Sequence, residues 1–91
     1  MKPVQGDKFY NAYKRLDSQT DSQLMRSIRS LENRLAEHKK KIVNPSAFIS
    51  EWDIRSQYYK IGIVEKWKKE IFNFEGEIAV GRLIAEERGL L

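Results

Sequence analysis

The chain has 91 residues, 41% of them apolar and 33% charged, and lysine plus arginine exceed aspartate plus glutamate by 17 to 13. That length makes one domain near the small end of what folds alone, and the charge-rich, proline-poor mixture suits amphipathic helices with solvated outer faces. The absence of cysteine excludes disulfides, thiol nucleophiles and thiolate metal sites. No apolar run reaches the roughly 18 residues a membrane span needs, and Met1–Asp7 lacks the apolar core of a secretory signal, so cytoplasmic action in a producing or target cell is expected.

In chain order, Asp7 follows Gly6 as a good N-cap, and Phe9, Tyr13 and Leu16 fall at helical spacing, which predicts a short helix over 7–17. The polar stretch Asp17–Ser22 breaks it. Within that stretch Thr20-Asp21-Ser22-Gln23 has the form of a capping box opening a long helix over 21–43. Leu24, Ile28, Leu31, Leu35, His38 and Ile42 follow spacings of 4, 3, 4, 3 and 4, an unbroken heptad seam. Lys39, Lys40 and Lys41 close this helix favourably for its dipole, and Asn44-Pro45 stops it.

Residues 45–61 are rich in Phe48, Ile49, Trp52, Ile54, Tyr58 and Tyr59, too apolar for a solvated linker, and are expected to form a packed segment with one short helix. A second long helix is predicted over 62–88, with Gly62 as N-cap. Its seam of Val64, Trp67, Ile71, Phe74, Ile78, Gly81 and Ala85 keeps the 3/4 alternation. Gly76 and Gly81 each cost this helix about 1 kcal/mol relative to alanine and mark either close backbone approach or a weak point.

Two long seams pair most simply as an antiparallel helical hairpin, so the expected fold is all-α, with the short N-terminal helix laid across it. The expected register sets Ile42 against Val64, Leu35 against Ile71, Ile28 against Ile78 and Leu24 against Gly81. Two helices alone leave seam surface bare, so a homodimer forming a four-helix bundle is one expectation.

His38, the one histidine, occupies a seam position with Glu70 nearby. This allows a general acid–base pair walled by Trp67, or a polar residue that fixes register. Arg26, Arg29 and Ser30, beside the seam, together with Lys39, Lys40, Lys41, Lys68 and Lys69, form a candidate phosphate-binding set for RNA. Trp52, Tyr58, Tyr59 and Trp67 form a candidate aromatic surface for docking a protein partner. No glycine-rich phosphate loop, HExxH motif or metal-ligand spacing is legible, so no cofactor and no metal are expected.

The segments Ile28-Arg29-Ser30-Leu31-Glu32, Ala36-Glu37-His38-Lys39-Lys40-Lys41-Ile42, Asn44-Pro45, Gly62 and Glu65-Lys66-Trp67-Lys68-Lys69-Glu70-Ile71-Phe72-Asn73-Phe74 resemble the small α-helical C-terminal toxin domains of bacterial polymorphic (Rhs-type and contact-dependent) systems. The similarity runs from about Asp21 to Leu90. It implies a toxin-like effector acting in a target cell's cytosol, often on RNA, and neutralised by a cognate immunity protein. The alternative is a non-enzymatic helical protein-binding module, such as a phage-encoded inhibitor or an adaptor.

Overall fold

The computed structural model describes residues 2–91 and is all-α, with no strand among those residues. Three helices form it: α1 (Tyr10–Asp17), α2 (Asp21–Val43) and α3 (Gln57–Glu87). The long pair α2 and α3 packs as the expected antiparallel hairpin. No described helix is long and apolar enough to cross a membrane.

Capping chemistry sets the ends. Thr20 Oγ1 accepts the Gln23 N–H at 3.2 Å while Gln23 Oε1 accepts the Thr20 N–H at 3.0 Å, so α2 opens on the reciprocal box its sequence spells. α3 begins earlier than expected, because Ser56 Oγ accepts the Tyr59 N–H at 3.1 Å and Gly62 has no side chain to offer. α1 begins later, at Tyr10, because Asp7 is spent on a turn. Its Oδ2 accepts the Val4 N–H at 2.8 Å, with Gly6 at φ +98° making the bend. The connecting segment contains two short 3₁₀ turns, Pro45–Ala47 and Trp52–Ile54, in place of one short helix. Glu51 between them lies in the left-handed region (φ 57°).

The buried cluster unites all three helices: Leu16 from α1, Leu24 and Ile28 from α2, and Val80, Ile84 and Ala85 from α3. It sits at the α1 end. Toward the connecting segment the α2 seam residues Leu35, His38 and Ile42 are only half-buried. Arg88 closes the α1 end, donating to the Asp17 and Gln19 carbonyls, each at 2.8 Å, and to Asp21 Oδ1 at 3.2 Å. That side chain satisfies carbonyls the α1–α2 turn would leave exposed.

The register is one helical turn away from the expected pairing. Gly81 lies against Ile28, not Leu24: a Cβ there would stand 2.9 Å from Ile28 Cγ1 and 3.7 Å from Leu16 Cδ1. The large-to-small match therefore survives with a different large partner, because Leu16 of α1 competes for the same space. Gly76 has a parallel role. A Cβ there would lie 2.0 Å from Phe9 Cζ, so the bare backbone of α3 seats the phenyl ring that docks α1.

Two of the α3 glycines accordingly differ in the sign of their effect. Gly62→Ala meets open space and is expected to stabilise the fold by up to about 1 kcal/mol through helix propensity. Gly76→Ala evicts Phe9 and is expected to cost about 1–3 kcal/mol despite the same propensity gain. Urea unfolding of the two variants checks this, and equal stability would contradict the seating of Phe9.

Candidate functional site

Three of the four aromatics expected to face a partner face one another. Trp52 stacks on Trp67 (centroids 6.3 Å apart, planes at 20°) and meets Tyr59 edge-on at 6.5 Å. Trp67, expected among the docking residues, is only 5% exposed and forms the floor on which the connecting segment folds. The cause is the left-handed turn at Glu51, which brings Trp52 back over the seam. Tyr58 alone among the four projects freely, at 91% exposure.

His38 and Glu70 do meet, through His38 Nε2 and Glu70 Oε2. His38 Nδ1 donates to the Arg34 carbonyl at 2.9 Å, and the ring sits edge-on to Phe74 at 5.0 Å. Glu70, expected nearby, is thus a direct partner of the ring, and Phe74 is its aromatic neighbour. Both ring nitrogens are engaged and the side chain is 13% exposed. The pair does cross-link α2 to α3 where the seam is thinnest. A double-mutant cycle on His38→Ala and Glu70→Ala is expected to give a coupling of about 1–2 kcal/mol in unfolding free energy. A coupling near zero would remove the pair from the fold's support.

The cations divide unevenly. Residues 34–72 hold nine of them (Arg34, Lys39, Lys40, Lys41, Arg55, Lys60, Lys66, Lys68 and Lys69) against five acids (Glu37, Glu51, Asp53, Glu65 and Glu70). The rest of the chain is balanced, so the whole net charge of +4 lies in the half that carries the connecting segment.

Pairing divides them further. Arg15 binds Glu77 at 2.9 Å, Arg82 binds Glu32 at 2.8 Å, Arg88 binds Asp21, and Arg55 lies 4.8 Å from the Tyr59 ring centroid. Lys66 and Lys68 reach Glu70 and Glu65 at 3.9 and 3.6 Å. By contrast Arg26, Arg29, Arg34, Lys40 and Lys41 have no ion-pair partner among the described residues. Helical spacing sets Arg26, Arg29 and Lys40, with Ser30, Asn33 and Glu37, on the α2 face opposite its seam, and Arg34 and Lys41 on the adjoining flank. They form a strip about 22 Å long at 1.5 Å per residue. Ser18, Gln19, Gln23, Arg26, Ser27 and Ser30 line an open polar groove of about 570 Å³ at its α1 end.

The expected phosphate set is therefore split. Arg29, Ser30, Lys40 and Lys41 share the strip, whereas Lys68 and Lys69 lie on α3, away from its seam, and Lys39 flanks the seam beside Val43 and Phe48. Arg26 shares the strip with Arg29 as expected, and Arg34 joins it, a residue that only its helical spacing from Arg26, Ser30 and Lys41 could have marked. The described residues contain no group of three or more His, Cys, Asp or Glu side chains able to hold a metal. No family model, curated protein or solved structure matches the chain.

Proposed function

We propose that this chain is a toxin-like effector domain of bacterial antagonism that binds RNA, holding the phosphate backbone along the outer face of α2. The observation that carries the reading is the strip of unpaired cations from Arg26 to Lys41, where three arginines stand free while every other arginine is engaged. An unpaired guanidinium keeps its full fork of donors for a phosphate, and the counterions it releases supply the affinity. No aromatic interleaves the strip, so it offers backbone contact without base stacking, and binding is expected to be indifferent to sequence.

The reading is one of binding. His38 and Glu70 hold the hairpin together, and neither borders the strip's groove.

The test is a fluorescence-anisotropy titration of labelled single-stranded RNA. Binding at about 50 mM salt that weakens steeply by about 200 mM supports the proposal. Absence of binding at the lower concentration would remove it.

A further inference from the structure

The connecting segment turns back at once on the last turn of α2. Asn44-Pro45 stops the helix, and the 3₁₀ turn Pro45–Ala47 brings Phe48 alongside it, with the Phe48 and Ile49 N–H groups donating to the Pro45 carbonyl at 3.0 and 2.9 Å. Phe48 and Val43, with Lys39, Lys40 and Asn44, line an open cleft of about 450 Å³. Val43 is 85% and Phe48 43% exposed, so burial does not explain the ring's placement. Each of the other three phenylalanines packs on a ring, Phe9 on Phe72 and Phe74 on His38. Phe48 has no aromatic or cation–π partner among the described residues, and its face is unspent. No carboxylate lines the cleft, and neither of its lysines has an ion-pair partner among the described residues. Lys40 belongs to the cation strip as well, so the cleft opens where the strip ends.

We propose that this cleft takes one unstacked base of a bound single-stranded RNA against the Phe48 ring, a contact that rests on phosphate binding along α2 and that duplex RNA cannot make. The strip itself has no aromatic, and Phe48 supplies one at its end from the connecting segment. A phenyl face accepts any base, because every base has a π-face, so the contact adds affinity without reading sequence. Lys39 and Lys40 flank the ring and attract the phosphates of the same nucleotide. Asn44 provides a polar edge: its Oδ1 accepts from Ser46 Oγ at 2.9 Å, which leaves its amide N–H groups to donate to a base edge or a ribose hydroxyl. A base needs only one covered face and keeps its polar rim in water, so an open cleft serves it. An acyl chain would need an enclosure that Val43 and Phe48 do not give. In a duplex the base is paired and stacked, and must be extruded before it could enter.

The test uses the full chain and three labelled probes of one length: a single-stranded RNA, a ribose-phosphate strand without bases, and an RNA duplex. The base-free strand is expected to bind about tenfold more weakly than the ordinary single strand at equal salt. Phe48→Leu keeps an apolar side chain beside Val43 and removes the ring. It should weaken binding of the ordinary strand by about tenfold, with the salt slope unchanged, and leave the base-free strand and the duplex unaffected. Phe48→Trp should bind the ordinary strand at least as tightly as the starting chain. Equal binding of the ordinary and base-free strands would overturn the proposal and leave the phosphate strip standing. So would equal binding by the Phe48→Leu and Phe48→Trp variants, or a Phe48→Leu loss of the same size on all three probes, which would mark Phe48 as support for the fold. No binding of any probe at about 50 mM salt would remove the RNA reading together with it.

Discussion

Leu16→Ala is expected to lower the unfolding free energy by about 3 kcal/mol, a large fraction of what a domain this size possesses. Leu16 is fully buried in the cluster with Leu24, Ile28, Val80, Ile84 and Ala85, and it is the buried leucine α1 contributes to that cluster. An eight-residue helix has no stability of its own in water. Losing the leucine therefore loosens the whole of α1 and exposes the apolar side chains beneath. Leu35→Ala, at a half-buried seam position, is expected to cost about 1 kcal/mol, since its site is already open on one side. Urea unfolding measures both. Similar losses at the two positions would contradict a core concentrated at the α1 end.

Replacing Arg26, Arg29 and Arg34 together by glutamine is expected to weaken single-stranded RNA binding by about a hundredfold near 0.1 M salt, taking about 0.7 counterion released per phosphate contact. The three are exposed and unpaired, so the fold loses no ion pair and its stability is expected to change by less than about 0.5 kcal/mol. A matched replacement of Lys66 and Lys68, which lie on α3 and reach Glu70 and Glu65, is expected to leave RNA binding within about threefold of the starting chain. An equal loss from both sets would mean that net charge, and not the α2 strip, attracts the RNA.

The parts of the fold that local chemistry decides were legible in the sequence. Thr20 and Gln23 mark the start of α2, Asn44-Pro45 marks its end, and the two seams imply an antiparallel hairpin. The meeting of His38 with Glu70 was legible for the same reason, since a seam position faces the partner helix whichever turn it pairs with. What was not legible depends on a third body. The register slid because Leu16 and Phe9 of α1 occupy the spaces over Gly81 and Gly76, and no property of α2 or α3 alone records that. Ser56 displaced Gly62 as the cap of α3, although a serine three residues before Tyr59 is a readable signal.

The candidate sites divide in the same way. An aromatic-rich segment reads equally as a docking surface or as a core, and only the reversal at Glu51 decides that Trp52 and Trp67 stack inward. Which cations are free is a matter of which acids lie opposite. Arg82 and Glu32 neutralise each other across 50 positions of sequence, a pairing that periodicity cannot foretell, whereas Arg29 three residues away finds no partner.

On the proposed reading, the outer face of α2 holds RNA phosphates. Its most direct test is the slope of log affinity against log salt for single-stranded RNA, measured with the starting chain and with the triple Arg26, Arg29 and Arg34 to glutamine variant. The slope is expected to become shallower by about 2, the release of three phosphate contacts at about 0.7 each. An unchanged slope, or no measurable RNA binding by the starting chain at low salt, would contradict it.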